Sequence, residues 1–186
     1  MTPAVFLDRD GTLIEEVNYL DSLDRIDIFP WTIDALRLLR RGGFRLVVIT
    51  NQAGVARGFF KEAFVRRAHE HLDATLTKGS AGVDRYYYCP HHPQAVVPEY
   101  RQACRCRKPQ AGMLHRAERE LDLDLSRSVL VGDRWSDIGA AHAAGIPGVL
   151  VRTGYGRAEE AEPDPATPAA AIVDDLMSAA AWILGR

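Results

Sequence analysis

The sequence predicts a doubly wound α/β domain, in which helices cover both faces of a parallel β-sheet. Four short apolar runs rich in valine and isoleucine are typical of buried parallel strands: residues 4–7, 46–49, 129–131 and 149–151. Helical patterns lie between these runs, and strands that alternate with helices form parallel sheets with right-handed crossovers. Polar residues follow each run, so any functional groups are expected at the ends of strands.

The helices are predicted from apolar residues that recur every three or four positions and from glycines that end the pattern. The expected helices are the stretch from Ile33 to Gly42, the stretch from Phe64 to Gly79, and residues 112–121, 136–144 and 174–184. Residues 83–88 are a candidate further strand. The segment 154–169 is rich in Ala, Glu and Pro and predicts a mobile connector.

Length and composition predict one globular domain that spans residues 1–186. Hydrophobic residues make up 47% of the chain and its formal net charge is −2. This charge provides no broad basic field, which argues against nucleic acid or an anionic membrane as a partner. No apolar run approaches the roughly 20 residues that span a bilayer. We therefore expect a soluble, cytoplasmic, monomeric protein that acts on a small molecule.

Two carboxylates follow the first predicted strand, at Asp8 and Asp10. Ligands of open α/β sheets bind at the carboxyl ends of strands. A carboxylate there can attack phosphorus and form an aspartyl phosphate, while a second carboxyl group transfers the proton. Gly11 allows a sharp turn, and Thr12 is expected to hydrogen-bond Asp10. Alone, the motif is also compatible with a turn or with a cation site without catalysis.

Polar residues follow two other strands at the same predicted edge. Thr50 could bind a phosphate oxygen, although it could equally cap the next turn. Asp133 follows the third strand, and Asp137 lies one helical turn later. Several acidic groups in a small volume require a hard cation, for which Mg²⁺ is the usual choice.

The motifs resemble those of the haloacid dehalogenase superfamily of phosphatases, which has a Rossmann-like fold. They occur in the family's order as Asp8-x-Asp10-Gly11-Thr12, Thr50-Asn51, Lys108-Pro109 and Gly132-Asp133-x-x-x-Asp137. No large insertion separates them, so we expect no separate cap domain and a substrate site built from short loops.

The resemblance implies a role for each motif. Asp8 would be the nucleophile, and Asp10 the general acid and then the general base. Thr50 and Lys108 would bind the phosphoryl group, and the lysine would offset repulsion between two anions. In isolation, however, Lys108 would be a solvated surface lysine. The implied magnesium ligands are Asp8, the Asp10 carbonyl and Asp133, with Asp137 in a supporting part.

All three cysteines lie in the proline-rich loop 89–109, at Cys89, Cys104 and Cys106. With one histidine they would form a closed, tetrahedral, structural zinc site. Buried reduced thiols are the alternative. Both His91 and His92 could reach the metal, and His91 is preferred on the Cys-x-His spacing and on the family resemblance.

The cysteine loop also resembles that of the family of heptose 1,7-bisphosphate 7-phosphatases. The related histidinol-phosphate phosphatases usually have a shorter interval between the Cys-x-His and Cys-x-Cys halves. The expected reaction is therefore removal of the C7 phosphate from a heptose 1,7-bisphosphate. Histidinol phosphate is the alternative substrate. The alternative to an enzyme is an inactive module that binds phosphosugars. Arg107 could hold the uncleaved phosphate or lie unused at the rim. The expected substrate contacts are Glu16, Val17, Asn18, Tyr19, Asn51, Gln52, Arg57, Arg107 and Arg134.

Overall fold

A computed structural model describes residues 1–186 and contains one six-stranded sheet in which all neighbouring strands are parallel. The strands run β3-β2-β1-β4-β5-β6 across the sheet. This order confirms the doubly wound α/β prediction. The strands are β1 (Thr2–Leu7), β2 (Arg45–Asn51), β3 (Arg85–Cys89), β4 (Leu123–Gly132), β5 (Gly148–Val151) and β6 (Ala171–Val173).

Seven α-helices and two 3₁₀ turns connect the strands. The helices are α1 (Thr32–Arg41), α2 (Ala53–Ala56), α3 (Glu62–Lys78), α4 (Gly112–Leu121), α5 (Trp135–Ala143), α6 (Gly156–Ala161) and α7 (Leu176–Leu184), and the 3₁₀ turns are Leu23–Arg25 and Pro98–Tyr100. The structure has no helix with the length and apolar character needed to cross a bilayer.

Two hydrophobic cores lie on opposite faces of the sheet. Successive side chains of a strand point to opposite faces. In β1, Val5 and Leu7 therefore join the core formed with α1, α3 and α7, while Ala4 and Phe6 join the core formed with α4 and α5. All four side chains are fully buried, which explains the continuous apolar run in the sequence.

The central strand β1 marks the point where the direction of winding reverses. β2 pairs with one edge of β1 and β4 pairs with the other. In open α/β sheets, such a reversal opens a crevice at the carboxyl ends of the strands. Asp8 follows β1 and Asp133 follows β4, so the fold places both carboxylates at this crevice.

The prediction of a mobile connector at 154–169 is wrong in the first half of that segment, because residues 156–161 form α6. This segment is held by partners from elsewhere in the chain. The Arg152 guanidinium forms a bidentate ion pair with Glu160, at 2.7 Å from Nε to Oε2 and 2.8 Å from Nη2 to Oε1. The Trp135 indole N–H donates to the Glu159 carbonyl at 2.7 Å. The sequence pattern also did not reveal the short strand β6, which extends the sheet beyond β5.

The packing of α1 leads to a stability prediction. Leu36 is fully buried, whereas Leu38 on the same helix is 38% exposed. We expect Leu36→Ala to lower the free energy of unfolding by about 2–5 kcal/mol, because it removes buried methyl groups and leaves a cavity. The matched Leu38→Ala change should lower it by less than about 1 kcal/mol. Urea denaturation followed by circular dichroism measures both, and equal losses would contradict the packing described.

Candidate active site

A cleft of about 530 Å³ opens at the carboxyl edge of the sheet. The predicted catalytic residues Asp8, Asp10, Thr50 and Lys108 all line it. Of the predicted substrate contacts, Val17 does not line the cleft, because its side chain packs against the core. The predicted contacts that do line it are Glu16, Asn18, Tyr19, Asn51, Gln52, Arg57, Arg107 and Arg134.

Three buried carboxylates meet below the cleft, from Asp8, Asp133 and Asp137. Their oxygens lie within 4.8 Å of one another, and none of the three residues is more than 8% exposed. The Lys108 Nζ lies 2.9 Å from Asp8 Oδ1 and 2.5 Å from Asp137 Oδ1. One ammonium group therefore faces three carboxyl groups. This imbalance leaves room for a further positive charge.

Lys108 is not the solvated surface lysine that its sequence context alone would suggest, because it is only 3% exposed. Asn51 holds its backbone through a reciprocal pair of hydrogen bonds. The Lys108 N–H donates to Asn51 Oδ1 at 3.0 Å, and Asn51 Nδ2 donates to the Lys108 carbonyl at 3.1 Å. The Nζ also donates to the Ile49 carbonyl at 3.0 Å. Asn51, predicted as a substrate contact, thus fixes the lysine that faces Asp8.

Burial and the neighbouring charges both shift the pKa values of this cluster. Burial raises the pKa of Asp8 to about 6; Lys108 opposes this rise, and Asp137 adds to it. Burial, and then the Asp8 charge, raise the pKa of Asp133 well above its ordinary value. Burial alone would lower the pKa of Lys108, but Asp137 and Asp8 raise it, so the ammonium stays charged.

The surroundings of Asp133 fit a hard cation. Its Oδ2 accepts the Tyr155 backbone N–H at 2.8 Å, whereas its buried Oδ1 has no hydrogen-bond partner. A buried carboxylate oxygen without a donor is costly unless a cation satisfies it. A methyl group at Gly11 or Gly154 would overlap Oδ2, so only glycine allows the backbone to approach this closely. The carboxylate set Asp8, Asp133 and Asp137 therefore suits Mg²⁺.

Asp10 is held by groups that differ from those predicted. Thr12, expected to bond it, is buried, and its hydroxyl has no hydrogen-bond partner. Instead, the guanidinium of the buried Arg9 donates to both carboxylate oxygens of Asp10, from Nε to Oδ2 at 3.1 Å and from Nη2 to Oδ1 at 3.0 Å. Gln52, another predicted substrate contact, donates to Asp10 Oδ2 at 3.0 Å and to Thr50 Oγ1 at 2.8 Å. The only sequence signal for Arg9 was a positive charge between two aspartates.

The loop at 16–19 forms one wall of the cleft. Burial, and then the Asp10 charge, raise the pKa of Glu16 to about 7. Asn18 adopts a left-handed backbone conformation with φ of 65°, which asparagine tolerates better than most residues. The Tyr155 hydroxyl donates to Asn18 Oδ1 at 2.7 Å. Sequence reasoning missed Tyr155, because it lies in the segment assigned to a mobile connector.

The three cysteines and His91 form a compact cluster. Their sulfur atoms lie 3.1–3.5 Å apart, and His91 Nδ1 lies 3.7 Å from the Cys89 sulfur and 3.4 Å from the Cys106 sulfur. Ligands of a tetrahedral zinc ion lie about 3.8 Å apart when the metal–sulfur bond is about 2.3 Å. His92 faces elsewhere, since it lines the cleft and its Nδ1 accepts the Gln94 N–H. The cluster can hold a metal ion through four protein ligands.

The raised pKa of Asp8 predicts a pH-dependent effect on stability. Because the folded-state value is about 6 and the unfolded value is near 3.8, the folded protein binds more protons between these two values. The ionised carboxyl group therefore destabilises the fold increasingly as pH rises through this window. Without divalent cations, Asp8→Asn should raise the melting temperature at pH 8, and this gain should shrink towards pH 4.

Thermal unfolding at a series of pH values measures this effect. Asp34→Asn, at a carboxyl group that is 65% exposed, is the matched control and should shift the melting temperature little at any pH. If Asp8→Asn lowered the melting temperature at pH 8, the buried carboxyl group would not carry the expected cost.

Comparison with known proteins places these motifs in a family. Residues 105–179 match the family described as HAD-like hydrolases. D-glycero-β-D-manno-heptose-1,7-bisphosphate 7-phosphatase from Escherichia coli (strain K12) is 47% identical over 161 residues, which cover 86% of this chain and 84% of the relative. The enzyme of the same name from Haemophilus influenzae is 43% identical over 155 residues, covering 83% and 84% respectively.

Solved structures agree with the sequence relatives. D,D-heptose 1,7-bisphosphate phosphatase from B. bronchiseptica, complexed with magnesium and phosphate, superimposes with a TM-score of 0.87 at 32% identity and covers 98% of both chains. The enzyme from Burkholderia thailandensis gives a TM-score of 0.72 at 26% identity and covers 99% of both. The chain therefore belongs to the HAD-like hydrolases and, within them, to the family of D-glycero-D-manno-heptose 1,7-bisphosphate 7-phosphatases.

Proposed function

We propose that this chain is a magnesium-dependent phosphatase that removes the C7 phosphate of D-glycero-β-D-manno-heptose 1,7-bisphosphate. One observation supports the chemistry most strongly. The Asp8 carboxylate lies at the carboxyl edge of the sheet, paired with a buried lysine and surrounded by an acidic cluster. The substrate is proposed from the family, whose E. coli and H. influenzae members carry this activity in their names.

Asp8 is proposed as the nucleophile, and its two oxygens have different surroundings. Oδ1 accepts the Arg9 backbone N–H at 2.8 Å and lies 2.9 Å from the Lys108 ammonium. These donors orient the carboxylate and leave Oδ2 for attack on phosphorus, which would form an aspartyl phosphate as the C7 oxygen leaves. The fixed Lys108 charge reduces repulsion between the carboxylate and the incoming phosphoryl group.

Asp10 is proposed to donate a proton to the departing sugar oxygen and then to remove a proton from the water that cleaves the aspartyl phosphate. Arg9 and Gln52 orient its carboxyl group, and Thr50 lies 3.5 Å from it. Asp8, the Asp10 carbonyl and Asp133, with Asp137 in support, would hold Mg²⁺, which would act as a Lewis acid and reduce the negative charge on the phosphoryl oxygens.

Phosphate release from a panel of substrates tests this proposal. The panel contains both anomers of the heptose bisphosphate, histidinol phosphate and simple sugar phosphates, all assayed with Mg²⁺. We expect either bisphosphate to exceed the monophosphates in kcat/KM, because both of its phosphates can be bound, and we expect the β anomer to be the better of the two, because the relatives are named for it. Higher turnover of histidinol phosphate would show that histidinol phosphate, and not the heptose bisphosphate, is the substrate. Binding without turnover of any compound would identify an inactive phosphosugar-binding module.

Asp8→Asn should lower kcat by at least about a thousandfold, because the amide cannot form the acyl phosphate. Asp34→Asn, on the exposed face of α1, should retain wild-type turnover. Circular dichroism spectra establish that both variants are folded. Near-wild-type activity of Asp8→Asn would exclude Asp8 as the nucleophile.

We also propose that the cysteine cluster binds structural zinc through Cys89, His91, Cys104 and Cys106. Its donor set and spacing suit tetrahedral Zn²⁺, and four protein ligands fill the coordination sphere. Lys108 lies two residues after Cys106, and the Arg107 guanidinium donates to the His91 carbonyl at 3.3 Å. Zinc would thereby hold both cationic side chains at the cleft.

Metal analysis of purified variants tests the zinc site. Wild-type protein should contain one equivalent of zinc, and His91→Ala should lose most of it, as should Cys104→Ser. His92→Ala is the matched control and should retain zinc, since the ring of His92 lies outside the cluster. Loss of zinc from His92→Ala with retention in His91→Ala would reverse the assignment.

A further inference from the structure

We propose that Tyr155 is a positioning residue that sets Asn18 and Arg134 for recognition of the sugar bisphosphate. The inference rests on the proposed function and concerns the part of the substrate beyond the phosphoryl group that is cleaved. Three contacts of Tyr155 support it: one made by the hydroxyl, one by the ring and one by the backbone N–H.

The hydroxyl end of Tyr155 fixes Asn18 across the cleft. It donates to Asn18 Oδ1 at 2.7 Å. The amide oxygen is therefore occupied, and the Asn18 NH₂ group keeps its two donors for a substrate hydroxyl or phosphate oxygen. Asn18 is exposed, and its left-handed backbone already presents the side chain from a turn. A side chain held in one orientation before binding loses less entropy when it contacts a ligand.

The ring of Tyr155 supports Arg134. The guanidinium carbon lies 3.7 Å from the ring centroid, within the range of a cation–π contact. Arg134 is exposed and forms no ion pair in the structure. Its face is covered by the ring, so its N–H groups remain free at the edge to bind an anionic oxygen. The phosphate that is not cleaved provides such oxygens.

The backbone of Tyr155 is anchored at the catalytic centre. Its N–H donates to Asp133 Oδ2 at 2.8 Å, and Thr153 donates to the Gly11 carbonyl at 2.5 Å. Tyr155 immediately precedes α6, which Trp135 ties to α5 through the Glu159 carbonyl. The tyrosine therefore has little freedom to follow Asn18 or Arg134. It is the fixed group, and the two substrate-facing side chains are arranged around it.

Steady-state kinetics with double-mutant cycles tests the inference. Tyr155→Phe keeps the ring and removes the hydroxyl, so KM for the bisphosphate should rise roughly two- to tenfold with a smaller change in kcat. In the Asn18→Ala background the same change should have no further effect, because Tyr155 acts through Asn18. Tyr155→Leu should raise KM roughly 5- to 50-fold, and most of the excess over Tyr155→Phe should disappear in the Arg134→Ala background.

Tyr87→Phe is the matched control, because Tyr87 lies in β3, away from the cleft, and makes the same two types of contact. Its hydroxyl donates to Glu120 at 2.9 Å, and Arg116 lies 5.3 Å from its ring centroid. This control should leave KM within twofold of wild type. The Tyr155 variants should also lose more kcat/KM on the bisphosphate than on p-nitrophenyl phosphate, which carries a phosphoryl group without the sugar.

Three outcomes would overturn the inference: unchanged KM in Tyr155→Leu, additive losses in both cycles, or equal losses on the two substrates, which indicate a merely structural role. Failure of the proposed function is distinguishable, because wild-type protein would then not hydrolyse the heptose bisphosphate. The same cycles would be measured on the panel compound that it hydrolyses best, where non-additivity supports the inference and additivity contradicts it. If no compound is hydrolysed, both proposals fail.

Discussion

The buried contact of Lys108 with Asp8 and Asp137 is the interaction on which the rest of the site depends. Ionised carboxylates removed from water are costly, and the cost rises when they approach one another. At the crevice, three of them meet, and one ammonium group contacts two of the three. Lys108 makes this concentration of negative charge tolerable, and the remaining excess accounts for the fit to a divalent cation. The same charges that a phosphatase needs for chemistry are thus a source of instability in the folded protein.

The need to hold Lys108 accurately explains features that lie outside the acidic cluster. Its backbone is hydrogen-bonded to Asn51, and its ammonium group also donates to the Ile49 carbonyl near the end of β2. The cysteine cluster ends two residues before it, at Cys106. The proposed zinc would turn this proline-rich loop, which has little regular structure, into a firm support. The lysine is fixed from the sheet on one side, and with zinc bound it would also be fixed from the cysteine loop on the other.

The opposite wall of the cleft comes from the segment after β5. Tyr155, just before α6, contacts Asp133 through its backbone and Asn18 through its hydroxyl. The loop at 16–19 and the carboxylate cluster are thereby connected by a single residue. With no large insertion between the motifs, we expect specificity to depend on such short contacts between loops, whose positions are set by the rigid sheet below them.

Local patterns in the sequence were sufficient for the main elements and for the grouping of Asp8, Asp10, Thr50 and Lys108 at one cleft. The apolar runs 4–7, 46–49, 129–131 and 149–151 are buried within their strands, and carboxylates at strand ends have a clear chemical meaning. The grouping of Cys89, His91, Cys104 and Cys106 was also predicted, because four good metal ligands in one loop are informative without a fold. Thr12 was misassigned, because which of two nearby side chains reaches Asp10 depends on local geometry. The Arg9 guanidinium, and not the Thr12 hydroxyl, forms the hydrogen bonds to the Asp10 carboxylate.

The sequence by itself determined the succession of the first five strands and of helices α1, α3, α4, α5 and α7, the position of the carboxylates at strand ends and the composition of the cysteine cluster. Each of these depends on residues that are close together in the chain or on a repeating pattern. Only the tertiary structure decided that Asn51 hydrogen-bonds the Lys108 backbone, that residues 156–161 form a helix and that the Tyr155 hydroxyl donates to Asn18. These features depend on contacts between distant parts of the chain, whose partners become neighbours only when the sheet has formed.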